Sequence, residues 1–191
     1  MNRRRSSARP PRRLFRVVCA FALALALGGC ATTPDATPIG QGSLIEAPSG
    51  DFTLLMRADG WSRFDPEPAT GDERQVEISL ARTDGGSSLQ AFRLIDPDPS
   101  LDSYVADRRD TMLGSGAYDF REKRRFLGDE SEITVSMARY RQDGTVILVV
   151  TAVRAPIVVE LIGLTARGQG TERELLELME TVRIVEREAT P

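Results

Sequence analysis

Residues 145–153 and 157–164 are apolar at nearly every position, and no other part of the 191-residue chain constrains the fold as much. Successive side chains on a strand point to opposite faces. A strand that is apolar on both faces therefore needs cover on both sides. That places these two stretches in the middle of a sheet, with packing above and below it. Glu160 is the only acid within them.

The remaining stretches supply flanks for such a sheet. Residues 75–82 alternate, with Val76, Ile78 and Leu80 on one face and Glu77 and Ser79 on the other, the pattern of a half-buried strand. Asp84-Gly85-Gly86-Ser87 offers a tight turn, and 88–95 returns as the second arm of a hairpin. Residues 52–57 form a short apolar run that ends at the turn signal Asp59-Gly60, and Trp61 follows as a core anchor. Asp96-Pro97-Asp98-Pro99 breaks the strand pattern, which explains both aspartates as turn residues. Ser100 is placed to cap a helix that carries Leu101, Tyr104, Val105 and Met112 along one face and ends at Gly114 and Gly116. Residues 118–127 read as a strand with a charged face, 133–140 as the next, and Asp143-Gly144 as a hairpin turn into the apolar pair. Thr171-Glu172-Arg173-Glu174 has the form of a capping box: Thr171 caps one backbone N–H and Glu174 reaches back to another. The helix it opens places Leu175, Leu176, Leu178, Met179 and Val182 at helical spacing, and 183–188 can form a last short strand. The expected fold is α+β, an antiparallel sheet of about six to seven strands with helices packed on it.

The first thirty residues have a different character. Seven arginines and no acid lie in 3–16, and 17–27 is an unbroken run of eleven apolar residues. A basic segment followed by a short apolar core is the layout of an export signal. Eleven helical residues rise only about 16 Å, against a hydrocarbon core of roughly 30 Å, so the run is too short to span. It ends in Leu27-Gly28-Gly29-Cys30, which resembles the bacterial lipobox. The resemblance implies cleavage before Cys30, so that residues 1–29 are a lipoprotein signal peptide and the Cys30 thiol carries lipid. Two or three acyl chains hold a protein stably where one is marginal. Ala31 stands where an Asp favours inner-membrane retention, so the resemblance implies the outer membrane, facing the periplasm, in a Gram-negative host. Arg12-Arg13-Leu14-Phe15 also matches the twin-arginine export motif in part, although an ordinary Arg-rich leader explains it as well. Residues 31–47 are rich in Pro, Thr and Gly in their first half, and 30–47 is expected to be the lipidated Cys and a flexible linker. About sixteen such residues reach roughly 20–24 Å.

Removing 29 of 191 residues leaves 162, and the seven leader arginines leave 18 basic residues against 28 acids, a formal charge of −10. So acidic a chain is a poor partner for nucleic acid, and its membrane attachment is expected through the lipid on Cys30 rather than through charge. The chain has no histidine, which excludes Ser-His-Asp and Cys-His catalysis and His-containing zinc sites. Cys19 leaves with the signal and Cys30 is consumed by lipid, so no cofactor or soft-metal cluster is expected. Asp96 with Asp98, and Asp129 with Glu130 and Glu132, lack the spacing of a calcium loop and read as solvated turns. Gly168-Gln169-Gly170 precedes a helix but lacks the third Gly of a dinucleotide fingerprint and the Lys of a P-loop.

The order of elements resembles the PsbP-like fold, an α/β/α sandwich found in a photosystem accessory protein, a nuclear-import factor and many short bacterial lipoproteins. The resemblance is carried by Phe52 leading into Gly60-Trp61, the helix around 101–112, the Asp143-Gly144 hairpin and the helix over 172–182. It covers the expected domain, 48–188. The fold has no shared catalytic signature, so the resemblance implies a binding or assembly module rather than an enzyme. The corresponding partner would be another envelope protein. Arg121, Lys123, Arg124 and Arg125 form the one basic cluster of the domain and mark a partner-docking patch, for an acidic protein or lipid headgroups; they also suit a solvent-facing strand that needs edge protection. Two further functions fit the sequence. One is a small-ligand carrier with a cavity between sheet and helix. The other is a carboxylate-only hydrolase built on Glu77, Glu132 or Glu160, which needs two acids about 5–9.5 Å apart in one cleft.

Overall fold

The computed structural model describes residues 36–65, 75–127, 133–142, 144–166 and 171–185. In chain order the elements are β1 (Thr37–Ile39), β2 (Leu44–Glu46), β3 (Phe52–Leu55), β4 (Trp61–Phe64), β5 (Gln75–Arg82), β6 (Ser87–Ile95), α1 (Leu101–Gly114), β7 (Tyr118–Leu127), β8 (Ile133–Gln142), β9 (Thr145–Arg154), β10 (Ile157–Ala166), α2 (Thr171–Met179) and β11 (Arg183–Ile184). One sheet has eight strands in the order β1-β4-β5-β6-β10-β9-β8-β7, and a smaller one has three, β11-β3-β2. Every neighbouring pair is antiparallel.

The apolar pair lies where its composition requires. β10 sits between β6 and β9, and its Val158, Val159, Leu161 and Ile162 are all buried. Directly paired residues share a face, so the register defines two surfaces. One row runs Ile78, Ala91, Leu161, Val150, Met137 and ends at Lys123 on the outer strand. This face is covered by α2 and the small sheet, which contribute Leu175, Leu178, Met179, Phe52, Leu54 and Ile45 to a single core with it. The approach is close at Gly163: a Cβ there would lie 2.8 Å from Leu175 Cδ2 and 2.9 Å from Met179 Sδ. The opposite face, which holds Glu160, Thr151 and Tyr140, receives α1 through Val105, Arg108 and Met112. Leucines as well buried as Leu175 and Leu178 are each worth about 1.5–3 kcal/mol of transfer free energy.

Ser100 caps α1 as expected, accepting from Ser103 N at 3.4 Å. After α1, Ala117 N donates to Met112 O across Gly116 at φ +94°, the left-handed exit that glycine permits. β8 and β9 meet at Gln142 and Thr145 around Gly144, the expected hairpin; Asp143 lies outside the described residues.

Three expectations are corrected. The strands are more numerous than six to seven, because short segments with little periodicity join both sheets. The second concerns the linker, which does not extend to residue 47: Thr37–Ile39 pairs with β4 and Leu44–Glu46 with β3, and Ile45 and Ala47 are buried. Gly40 and Gly42 serve the tight turn between these strands, closed where Ser43 N donates to Gly40 O at 3.2 Å, and Pro38 lies within β1. Third, the Glu174 side chain, expected to close the capping box, meets donors from β4 and β5. Its Oε1 accepts from Trp61 Nε1 at 3.1 Å and pairs with Arg82 Nη1, so tertiary donors claim the group that a local cap would use.

Candidate docking edge

β7 is the last strand of the large sheet, paired on one side only among the described residues. The period of two divides the basic cluster between faces. Arg121 pairs with Arg139 and Lys123 with Met137, on the face of α2; Arg124 pairs with Ser136, on the face of α1. Arg125 pairs with Val135 in the backbone ladder. The four residues therefore share a strand but not a surface.

A second set of residues, not expected from the sequence, completes the edge. The ladder shifts register between Tyr118 and Arg121, and Asp119 within that irregularity has φ +57°, a left-handed conformation that Asp tolerates better than most residues. Its carboxylate meets three arginines: Arg121 Nε at 3.2 Å, Arg139 Nη1 at 2.9 Å and Arg141 Nε at 3.2 Å, the last in contact but not aligned to donate. Desolvation pushes the Asp119 carboxyl upward, and the charges of Arg121 and Arg141 outweigh it, leaving it below the ordinary range. Arg139 also forms a fork with Glu172 in the first turn of α2, with Nη2 donating to Oε2 at 3.0 Å. That bond holds the Glu172 carboxyl below its usual range and raises the Arg139 guanidinium. On the other face, Arg124 binds Glu122 and Asp102 of α1, which raise its guanidinium. Lys123 is exposed and has no ion-pair partner among the described residues. The edge is thus an alternation of cations and carboxylates rather than a purely basic patch. The alternation of Met137, Arg139 and Arg141 on β8 was visible in the sequence, but only the β7–β8 register sets these arginines beside Arg121.

The buried charges lie elsewhere, and each is committed to another. Arg108, 6% exposed, donates through Nε to Glu160 Oε1 at 2.8 Å, and its Nη2 meets Oε2. Glu77 and Asp51 share Arg93, at 3.1 and 3.0 Å, and Glu77 Oε2 accepts from Ser49 N at 2.9 Å. Two hydrolase candidates are therefore placed, and they lie apart. Glu160 pairs with Phe92 on the α1 face, whereas Glu77 bonds Arg93, the next residue of β6, on the other. Glu132 lies outside the described residues, as do Asp129, Glu130, Gly168-Gln169-Gly170 and residues 1–35 with Cys30. Beside the Arg108–Glu160 pair, Tyr140 is fully buried and stacks on Phe120 with ring centroids 5.3 Å apart. Its hydroxyl has no hydrogen-bond partner among the described residues, and burial pushes it up to about 12. Arg109 lies over the outer side of this pair, 5.9 Å from the Phe120 ring centre.

Cyanobacterial PsbP (CyanoP) from Synechocystis superposes with a TM-score of 0.59 and 14% identity, over 84% of this chain and 99% of that one. The domain has a PsbP-like fold. A crystal structure from Bacteroides thetaiotaomicron is similar at a TM-score of 0.44 and 16% identity, over 79% of this chain and 52% of that one. No protein-family model and no curated protein matches the chain. The PsbP-like frame, read as α+β from the sequence, is larger than expected, with eight strands in the main sheet.

Proposed function

We propose that this protein is a non-catalytic accessory lipoprotein of the bacterial envelope, held to a membrane by lipid on Cys30, which binds or assists the assembly of another envelope protein. The observation that carries the reading is Leu27-Gly28-Gly29-Cys30 at the end of an eleven-residue apolar run, with Cys30 seven positions before the first strand. With Ala31 after the lipidated residue, the outer membrane facing the periplasm is its place in a Gram-negative host. A noncatalytic role is supported by the use of the interior acids. Glu77 and Glu160 are held by Arg93 and Arg108 on opposite faces of a sheet, where they cannot flank one glycosidic bond. A ligand carrier with its cavity under α2 is less favoured, because that helix meets the sheet in direct contact at Gly163. The partner meets the edge that carries Arg121, Lys123, Arg124 and Arg125.

Intact mass and membrane fractionation test the anchor. The mature protein should begin at residue 30, carry two or three acyl chains and remain with membranes. The C30S variant should lose both the acyl mass and the membrane retention. Cleavage and retention of C30S equal to the parent would remove the reading.

A further inference from the structure

We propose that β7 is a docking strand, which accepts an extended acid-bearing segment of a protein partner as an additional strand of the large sheet. The inference rests on the anchored-accessory reading and names what the partner presents.

The two edges of the sheet differ in the features that govern strand addition. β1 is three residues long and contains Pro38, which has no N–H to offer. β7 is ten residues long, and among the described residues its outer backbone groups have no strand partner. Strand addition takes most of its affinity from such groups and its selectivity from alternate side chains. β7 is the opposite edge of the sheet, seven strand spacings from β1, or roughly 33 Å along the sheet.

Charge then selects the occupant. A second copy is disfavoured. Antiparallel pairing of two β7 strands with the axis through Lys123 sets Lys123 against itself and Arg121 against Arg125, with only Glu122 against Arg124 to offset them, and an axis through Glu122 sets Arg121 against Lys123. Like charges directly opposite are destabilising, whereas opposite charges are stabilising. A segment with acids at alternate positions answers Arg121 and Lys123 on one face. The present pairs of Arg121 with Asp119 and of Arg124 with Asp102 are solvent-accessible ones that an incoming carboxylate can replace, since such pairs contribute little. Lys123 has no partner to give up among the described residues. The carboxylates Asp119, Glu122 and Asp102 lie among these cations, so spaced acids on a strand suit the edge better than a continuous layer of phosphate headgroups.

The test uses the full-length lipidated protein in nanodiscs and three ten-residue peptides: alternating Glu and Thr, alternating Lys and Thr, and Glu and Thr in two blocks. Hydrogen exchange of β7 should slow at least about fivefold with the alternating Glu peptide at millimolar concentration, and with neither of the others. The R121E/K123E double variant should reverse the preference toward the Lys peptide. Unchanged exchange in β7, or equal slowing by the block peptide, would overturn strand addition. A K123C label quenched by headgroup-labelled lipid would put β7 on the bilayer and overturn it too. Intact mass of the same sample reports acylation of Cys30, so failure of the anchor reading is seen separately.

Discussion

Leu175, Leu178 and Met179 cover one face of the large sheet, whereas the opposite face meets α1 through Arg108, held by Glu160. The first interface is apolar and close enough that Gly163 has no room for a side chain. The polar contacts of α2 itself, Arg139 with Glu172 and Trp61 with Glu174, lie around its first turn, and the buried Glu77–Arg93–Asp51 group of the same face involves no residue of the helix. The second interface reverses the arrangement: its ion pair is in the buried centre, and Arg109 and Tyr104 are at its margin. Buried ion pairs add little net stability over a well-packed apolar pair, but losing one member leaves an uncompensated charge. α2 is therefore held chiefly by area, and α1 by a specific pairing that fixes where the helix sits.

Breaking the pair gives the largest expected effect. E160A or R108A should cost about 3–5 kcal/mol in urea unfolding, and replacing both by apolar residues of similar volume should recover most of it. A loss below about 1 kcal/mol in either single variant would show that both faces are held by area alone. Next is G163V, which forces a side chain against Leu175 and Met179 and should cost about 1–3 kcal/mol. An unchanged midpoint would mean that α2 shifts freely, contrary to close packing.

Tyr140 sharpens the comparison with a smaller change. A buried donor left unpaired costs about 1–3 kcal/mol, so Y140F should be neutral or up to about 1 kcal/mol more stable at neutral pH. Burial holds the folded hydroxyl up to about 12, above the unfolded value of roughly 10. Its contribution is fully present below pH 10 and is lost as pH rises toward 12, because the unfolded chain ionises first. The parent should therefore weaken over that interval more than Y140F does; parallel pH profiles would refute it. The smallest effect belongs to the rim. R139Q should cost under about 1 kcal/mol, and less at high salt. Since Arg139 holds the Glu172 carboxyl low, the contribution is present above the unfolded carboxylate value and fades as pH falls through the lower folded one. A salt-independent cost comparable with that of E160A would erase the distinction between rim and centre.

Much of this arrangement was legible in order and period. Both-face apolarity at 145–164 required a central pair of strands, and Leu175, Leu178 and Met179 marked the inner stripe of a helix. The candidate edge was half legible. Arg121, Lys123, Arg124 and Arg125 stood out as a run, but their division between faces, the pairing of Arg121 with Asp119 and that of Arg124 with Asp102 required the tertiary structure. Arg108 is instructive. It lies on the same helical stripe as Val105 and Met112, so the period pointed inward while the charge pointed outward. What reconciles them is Glu160, 52 residues away on β10.

By itself the sequence determined the layers, the helix that seals one of them and the motif that marks Cys30. These depend on periodicities and motifs that neighbouring residues complete. Tertiary structure alone decided which charges are interior, how a basic run is divided between faces, and that residues 37–47 belong to the sheets. A buried charge or a three-residue strand is tolerable only when a distant partner satisfies it, and no local pattern records where that partner lies.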